Sequence, residues 1–241
     1  MALYLLIKLM DTPIFINMRY YSSIITGISC FFLLVLLSAC AGVPSQLPES
    51  EPVIETIQEV PEKPVERPRP PEDIMGKGMV AEEKLALFLV SNNAKADLVF
   101  AQYLAGIYIE EAADEGVNHD VAFAQMCLET GSLRYGGLVT PDMNNFCGLG
   151  STGAPGPDGR PEKGNVFPDP RTGVRAHIQH LKAYATKEPL NNDLVDPRYS
   201  YVKLGVSPTI NGLAGRWAAD PYYSKKITAL LKQLYELSFR D

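Results

Sequence analysis

The sequence predicts a mostly helical domain, and three features of the chain lead to this prediction. Apolar residues recur at three-to-four spacing in several segments after residue 80, which is the period of a helix with one buried face. Residues that favour helix ends flank these segments, with Asn118 or Asp120 at one start and Gly116 and Gly131 at two ends. The composition, 46% hydrophobic and 21% charged, is ordinary for a globular protein. For 241 residues we expect one domain with appendages.

The N-terminal residues have the pattern of a secretion signal. Met18 suits a natural start, and a short basic region and an apolar run from about 24 to 37 follow it. This run is short for a membrane span and suits a signal peptide, with an uncleaved anchor as the alternative. Residues 37–40 (LSAC) resemble a bacterial lipobox, whose cysteine is diacylated after cleavage. We therefore expect residues 1–39 to be removed and Cys40 to hold the protein on a membrane.

Residues 40–77 are predicted to form a tether. Between 41 and 75 the chain has eight prolines, and its eight acidic residues outnumber three basic ones. Such sequence stays extended, and at about 3.1 Å per residue it reaches on the order of 100 Å. Aspartate after the lipidated cysteine often signals inner-membrane retention in enteric bacteria. Ala41 is instead compatible with the periplasmic face of the outer membrane in a cell with two membranes.

Residues 78–241 are predicted to be the folded domain, and this part of the chain is nearly neutral. The whole chain has a net charge of −6, of which residues 41–75 hold −5 and residues 1–40 hold +1, so residues 76–241 carry −2. Binding of nucleic acid rests on a basic face, so this balance argues against a nucleic-acid partner.

Two helices are predicted at the start of the domain, over 80–90 and 96–116. The acidic pairs Glu110-Glu111 and Asp114-Glu115 are expected to form the solvated end of the second helix. Its apolar face has the three-to-four spacing of a buried stripe, comprising Leu98, Ala101, Gln102, Ala105, Ile109 and Ala112.

The next helix, over 119–129, is predicted to be buried and to end in a carboxylate. Apolar residues cover nearly all of its surface, and Gln125 and Glu129 share one edge. Glu129 lies in the last turn, among apolar neighbours and at the negative end of the helix dipole. Both effects raise the pKa of its carboxyl group, as a general acid at neutral pH requires. A Glu129 that reaches solvent or pairs with Arg134 is the structural alternative.

Three motifs resemble the glucosaminidase family of peptidoglycan hydrolases. They are residues 124–131 (AQMCLETG), 144–150 (NNFCGLG) and 217–226 (WAADPYYSKK). In that family an AQ-x-x-x-ETG-like helix carries the acid, an NN-x-F-G-like loop forms part of the sugar cleft, and a YATDPxYxxK-like segment comes later. The motifs occur here in family order. The resemblance implies a lysozyme-like helical fold with Glu129 as the acid.

The resemblance also implies cleavage of a β-1,4 bond between N-acetylglucosamine and N-acetylmuramic acid. Glu129 protonates the departing oxygen, and the positive charge at the anomeric carbon needs a second partner. That partner is either a carboxylate such as Glu162 that activates water, or the substrate's own acetamido oxygen with Tyr223 nearby. Because Tyr222 adjoins Tyr223, the register of this tyrosine is open by one. The residues expected to contact sugar are Gln125, Asn144, Asn145, Phe146, Trp217 and Tyr222, with core packing as the alternative for the aromatic ones.

Residues 151–170 are dense in glycine and proline and are predicted to form a loop, with a small β-hairpin beside the cleft. Related enzymes often carry a second carboxylate in this region, and Asp158, Glu162 and Asp169 are the candidates here. Gly159 and Gly164 flank Glu162 and allow it to move. Three solvated loop acids are the alternative.

Further helices are predicted over 172–186, 213–217 and 221–239. On the first, His177 and Tyr184 are expected to flank the apolar stripe and His180 to point further out. The apolar stripes comprise Val174, Ile178, Leu181 and Ala185 on the first helix and Ile227, Leu230, Leu231 and Leu234 on the last. His177-x-x-His180 is half a metal site, but no cysteine or carboxylate completes a zinc set at a familiar spacing, so no metal is expected.

Several points stay open from the sequence. Cys127 and Cys147 either form a disulfide, since we expect an oxidising compartment, or remain two buried thiols. The domain is either the hydrolase described above, a lytic transglycosylase, which needs only one acid, or a silent wall-binding module. We expect a monomer without a cofactor, whose partners are peptidoglycan and, through Cys40, a membrane.

Overall fold

The computed structural model describes residues 66–240, which form five α-helices joined by loops and short 3₁₀ turns. The predicted signal peptide, the lipobox with Cys40 and most of the tether lie outside the described residues. The helices are α1 (Glu82–Asn92), α2 (Leu98–Glu115), α3 (His119–Glu129), α4 (Pro170–Ala185) and α5 (Tyr223–Ser238). The prediction of a mostly helical fold is confirmed. None of the helices in this part of the chain is long and apolar enough to cross a membrane.

Local signals explain where most helices begin and end. The Asp97 side chain accepts the Phe100 N–H at the start of α2, and Gly116 ends that helix with φ of 73°. The Asn118 side chain accepts the N–H groups of Asp120 and Val121 at the start of α3. The helix predicted over 213–217 is wrong, since a 3₁₀ turn covers Ile210–Leu213 and the backbone extends at Ala214.

The helices enclose a main core with α3 at its centre, and Cys147, Leu149, Phe167 and Ala176 form a second, smaller cluster. α1 packs on α2, α2 on α4, and α3 contacts α2, α4 and α5. Every residue of α3 from His119 to Cys127 is buried. The end of α3 is therefore the one place where this helix reaches the surface.

The folded part begins earlier than the predicted boundary at residue 78. Asp73 pairs with Thr209 and Met75 with Val117 as isolated antiparallel bridges. Between them Ile74 is fully buried, its N–H donates to Pro208 O at 3.0 Å, and its C=O accepts the Asn118 N–H at 2.8 Å. The buried Ile74 side chain and the backbone hydrogen bonds thus attach residues 73–75 to the domain. Their proline-rich sequence context predicts that they belong to the tether.

The prediction of a solvated end for α2 is wrong for two of its four acids. Glu111 and Glu115 are each 1% exposed. Arg171 and Arg175 of α4 bind Glu111 at 2.9 and 2.7 Å, and Lys182 of α4 binds Glu115 at 2.8 Å. Burial is tolerated because each carboxylate meets a cation of the neighbouring helix.

The apolar stripe of α2 also differs from the prediction. Leu98 and Gln102 are exposed, whereas Leu104, Ile107 and Tyr108 are buried. Ala101, Ala105 and Ala112 of the predicted stripe are buried, and because α1 and α4 both pack on α2, the buried face is wider than predicted.

The loop over 151–164 contains the small hairpin that the sequence predicts. Pro155 pairs with Pro161, the Gly156 N–H donates to Arg160 O at 2.7 Å, and the Glu162 N–H donates to Ala154 O at 2.9 Å. The hairpin lies at the surface and its residues are mostly exposed.

Candidate active site

An open cleft of about 610 Å³ lies at the end of α3. The segment after α3, the loop over 145–152, one face of α4 and the residues around Trp217 form its walls. Its lining side chains with polar or aromatic groups include Glu129, Tyr135, His180, Tyr184, Arg198, Arg216 and Trp217. Glu129 is the one carboxylate in the lining, within the described residues.

Glu129 is held by two hydrogen-bond donors on the same oxygen. The Tyr223 hydroxyl and the Trp217 indole N–H both donate to Oε1, the latter at 3.1 Å. Burial raises the pKa of the carboxyl group, and these two hydrogen bonds oppose the rise without cancelling it. The direction agrees with the sequence prediction, and a raised pKa suits a proton donor.

The backbone after α3 forms a tight turn beside Glu129, and Thr130 and Tyr135 of this segment line the cleft. Gly131 has φ of 58°, and Ser132, Leu133 and Tyr135 also have positive φ, which only Gly131 among them adopts at little cost. The Ser132 N–H donates to Cys127 O and the Tyr135 N–H to Thr130 O, each at 2.7 Å. No local sequence signal beyond Gly131 indicates this run of left-handed residues.

Arg134 does not pair with Glu129. Its guanidinium donates to Gly131 O at 2.8 Å and to Asn92 O. The alternative in which Arg134 binds the carboxylate is therefore not realised, and the arginine instead secures the turn that follows Glu129.

A buried chain of hydrogen bonds supports the tyrosine that contacts Glu129. The Gln125 amide Nε2 donates to the Tyr223 hydroxyl at 2.8 Å. Gln125 Oε1 lies 3.0 Å from His177 Nε2, and since an amide oxygen only accepts, His177 donates from Nε2. His177 Nδ1 then accepts the Tyr108 hydroxyl proton at 2.9 Å. Every bond in the chain points towards Glu129.

The sequence predicts His177 at the edge of the apolar stripe of α4 and predicts no catalytic role for it. It is fully buried, and burial, with a smaller contribution from the charge of His180, lowers its pKa to about 3. The imidazole is therefore neutral at physiological pH, as the hydrogen-bond directions require. Its position three residues after Val174 and one before Ile178 is the sequence signal that it faces inward.

An aromatic wall forms one side of the cleft around Trp217. The indole ring lies 5.0 Å from the His180 ring, 5.5 Å from the Tyr184 ring and 5.7 Å from the His177 ring, between centroids. His180 is buried and its Nδ1 lies 2.7 Å from Asp196, so the prediction that it points outward is wrong.

The predicted sugar-contacting residues of the returning loop mostly shape the loop itself. Asn145 lines the cleft, but its amide donates to Leu149 O and Asn165 O and accepts the Leu149 N–H. Asn144 has φ of 49° and donates to Phe167 O at 3.1 Å, and Phe146 is 1% exposed in the core. Neither of these two residues lines the cleft, so the core alternative is the right one for Phe146.

The structure also separates the two adjacent tyrosines and places the predicted Gln125. Tyr223 contacts Glu129, whereas Tyr222 is 59% exposed, lies under the Lys225 ammonium and does not line the cleft. Gln125 is fully buried, so it supports Tyr223 and does not face the cleft.

The three candidate second carboxylates are dispersed on the surface loop. Glu162 is exposed, accepts the Thr152 hydroxyl at 2.8 Å and does not line the cleft. Asp169 caps α4 by accepting the Thr172 N–H, and Asp158 accepts the Arg160 N–H at the hairpin tip.

Cys127 and Cys147 are two buried free thiols, the second of the two states left open by the sequence. Burial raises the pKa of Cys127 to about 12, and it raises that of Cys147, with Glu129 adding to the shift. Across residues 66–240, no group of three or more His, Cys, Asp or Glu side chains is arranged to hold a metal ion.

Comparisons with known proteins agree with the motifs. A family model described as mannosyl-glycoprotein endo-beta-N-acetylglucosaminidase matches residues 105–236. A protein of Borreliella burgdorferi, described as uncharacterized, is 40% identical over 163 residues, which are 68% of this chain and 77% of that protein.

Two solved structures are also similar to this chain. Autolysin E of S. aureus in complex with the muropeptide NAM-L-Ala-D-iGlu is 15% identical with a TM-score of 0.43, over 68% of this chain and 71% of that one. A catalytic mutant of Autolysin E in complex with the disaccharide NAG-NAM is 13% identical with a TM-score of 0.43, over 71% of this chain and 74% of that one.

Proposed function

Because the chain belongs to the glucosaminidase family, we propose that it hydrolyses peptidoglycan at a β-1,4 bond between N-acetylglucosamine and N-acetylmuramic acid, with Glu129 as the general acid. The observation that carries the proposal is the state of Glu129. It is the carboxylate at the floor of an open cleft, its pKa is raised by burial, and Tyr223 and Trp217 fix its orientation.

The two donors on Oε1 determine which oxygen carries the proton. Since Oε1 accepts from both Tyr223 and Trp217, the proton of the neutral acid belongs on Oε2. Oε2 faces Gly148, where an added Cβ would lie 3.7 Å away, and Gly148 itself lines the cleft. A glycosidic oxygen placed there receives the proton as its bond to the anomeric carbon breaks.

The positive charge left on the anomeric carbon is met by the substrate in this proposal. Within the described residues, no second carboxylate lines the cleft. The acetamido oxygen of the cleaved sugar attacks the anomeric carbon and closes a five-membered ring, which water then opens while Glu129 takes back a proton. Glu162 acting on water is the rival route, and it requires the hairpin to move and the Thr152 hydrogen bond to break.

Substrate size and location complete the proposal. An open cleft with an aromatic wall accepts an internal stretch of a glycan polymer. The lipobox-like residues 37–40 suit a protein that Cys40 anchors to a bacterial membrane, at the periplasmic face of the outer membrane where there are two membranes. The tether then provides the reach to the cell wall.

Mass spectrometry of digested cell wall tests the reaction. Reducing N-acetylglucosamine ends are expected. Anhydro-muramic ends would instead identify a lytic transglycosylase, which a cleft with a single carboxylate also permits. The absence of any product would leave a wall-binding module and contradict the enzymatic proposal.

Glu129→Gln should lower hydrolysis by roughly a hundred- to ten-thousand-fold, because it removes the transferable proton but keeps the shape. The melting temperature should stay level or rise at neutral pH. A carboxyl whose pKa is raised in the folded state destabilises that state once the pH exceeds its ordinary value of 4.5, and Gln removes this penalty.

Glu162→Gln is the matched control, since it is the same change on the exposed hairpin. Near-parent hydrolysis by Glu162→Gln is expected for the acetamido route. A loss as large as that of Glu129→Gln would make Glu162 the second catalytic group, and undiminished hydrolysis by Glu129→Gln would end the mechanism.

A further inference from the structure

Two arginines line the cleft without a carboxylate partner. Arg198 and Arg216 both belong to the cleft wall. Within residues 66–240, Arg69, Arg171 and Arg175 pair with carboxylates, whereas neither cleft arginine has one within 4.0 Å. Among the described residues, the cleft lining thus holds two guanidinium groups without a carboxylate partner and one carboxylate, that of Glu129, and this balance makes the site attractive to an anion.

Contacts with neighbouring groups hold both arginines at the cleft wall. The Arg198 guanidinium lies over the Tyr201 ring at 4.1 Å, and the Arg198 backbone N–H, not the guanidinium, donates to the Asp196 carboxylate at 2.8 Å. Arg216 donates from Nη1 to Gly212 O at 2.9 Å, and its C=O accepts the Tyr184 hydroxyl at 3.1 Å. Burial raises the pKa of Tyr184, the charges of both arginines oppose this rise, and the charge of Asp196 adds to it.

The chemistry of a guanidinium selects the anion. Its planar fork matches the two oxygens of a carboxylate, and each arginine keeps donors beyond those already used. Polymers of N-acetylglucosamine are neutral. The muramyl sugar differs from it by a lactyl group, which ends in a carboxylate when the sugar has no peptide and leads to peptide carboxylates when it has one.

We propose that Arg198 and Arg216 form a subsite that binds a carboxylate of the muramyl side of the substrate, and that this subsite distinguishes peptidoglycan from neutral glycans. The inference rests on the proposed function, because it names what that cleft recognises. It gives the muramyl sugar a fixed direction in the cleft, with its substituent towards α4 and Arg216.

The chain has one tryptophan, Trp217, and it lies in this cleft, so intrinsic fluorescence reports binding without turnover. The purified protein is titrated with three ligands, of which N,N′-diacetylchitobiose is neutral. The second is the disaccharide of N-acetylglucosamine and N-acetylmuramic acid, which has a lactyl carboxylate. The third is the same disaccharide bearing L-Ala-D-iGlu, whose carboxylates are on the peptide. The variants are Arg198→Gln and Arg216→Gln. Arg160→Gln is the matched control, since Arg160 is exposed on the hairpin outside the cleft lining.

The parent and Arg160→Gln should bind an anionic ligand about tenfold more tightly than chitobiose, and each cleft variant should lose about tenfold for that ligand only. The preference should shrink as salt is added. A response confined to the peptide ligand assigns the subsite to peptide carboxylates, and a response to the simple disaccharide assigns it to the lactyl group. Equal affinity of the parent for neutral and anionic ligands, equal losses for all ligands, or no fluorescence response to any of them would overturn the proposal.

The proposal and the enzymatic function fail separately. Selective binding by a parent that releases no product from cell wall would contradict the hydrolase and leave the carboxylate subsite in place. Normal hydrolysis of cell wall by a parent that binds neutral and anionic ligands equally would support the hydrolase and contradict the carboxylate subsite. Melting temperatures near that of the parent show that the two cleft variants are folded.

Discussion

Tyr223 makes two hydrogen bonds that together fix the direction of its hydroxyl. It donates to Glu129 and accepts from Gln125, which His177 holds in turn. A hydroxyl with both roles occupied cannot rotate away from the acid. Gln125, predicted to contact sugar, therefore acts on the reaction only through Tyr223.

Tyr223→Phe should lower turnover by about ten- to a hundredfold, the value of one hydrogen bond to a charged group. In the parent, the hydrogen bond from Tyr223 lowers the pKa of Glu129. Without this bond the pKa of Glu129 should rise further, and the alkaline limb of the pH–rate profile should move to higher pH. Tyr222→Phe is the control, since Tyr222 is exposed outside the cleft. A large loss in Tyr222→Phe beside a parent-like Tyr223→Phe would reverse the assignment.

His177 makes the fold sensitive to acid. Its pKa is lowered from 6.5 to about 3 on folding, so between these values the unfolded chain binds more protons and the free energy of unfolding falls as the pH falls. One such group contributes up to about 1.4 kcal/mol per pH unit. His177→Gln retains a donor and an acceptor but does not titrate, so its unfolding free energy, measured by urea denaturation from pH 7 to 4, should have the smaller slope. Equal slopes would show that His177 is not the sensitive group.

Among the elements, α2 and α4 are joined by buried charges that also order the loop leading to Arg198. Glu115 binds Lys182 and accepts the N–H groups of Asn191 and Asn192 at 2.9 and 3.0 Å. Burial raises the pKa of Glu115, but these partners outweigh it and the net pKa is lowered. The sequence could not predict this, because pairs of acids near a helix end have the composition of a solvated face and their partners come from distant parts of the chain.

Lys182→Met should reduce the free energy of unfolding by roughly 3 kcal/mol, because it leaves the Glu115 carboxylate buried without its cation. The double variant Glu115→Gln, Lys182→Met should recover part of the loss, and the Asn191 and Asn192 amides should exchange hydrogen faster in the single variant. Lys226→Met breaks the exposed pair with Asp220 and should change stability little. Similar effects in both lysine variants would mean that burial does not govern the loss.

For the whole molecule, the sequence predicts those features that depend on local patterns or on the family motifs. Caps and apolar spacing lead to the helices, and the motifs lead to Glu129, Trp217 and Tyr223. The chain of bonds through His177 and the arginine pair depend on tertiary contacts, which leave little trace in local spacing. Phe146 lies within a family motif, yet it fills the core, because a motif marks a segment and does not say which side chains face the cleft.

The location of the whole protein is a separate prediction. Cys40→Ala should leave the protein unprocessed or free of the membrane, since it removes the thiol that would be acylated. Detergent phase partitioning and the apparent mass of the mature protein measure both outcomes. A Cys40→Ala protein that is as fully processed and as membrane-bound as the parent would rule out lipidation at this residue.

The attachment of the chain around Ile74 to the domain has a consequence for how the domain responds to force. Tension arriving from the N-terminal side meets the backbone hydrogen bonds of residues 72–74, in which Glu72 O accepts the Ile210 N–H, the Ile74 N–H donates to Pro208 O and the Ile74 C=O accepts the Asn118 N–H. Asn118 is the cap of α3, the helix that carries Glu129 at its far end. The force is thus divided between the segment before α5 and the start of α3. When the domain binds a glycan strand under tension, α3 therefore bears force at its N-terminal end through Asn118 and contacts the substrate at its C-terminal end through Glu129.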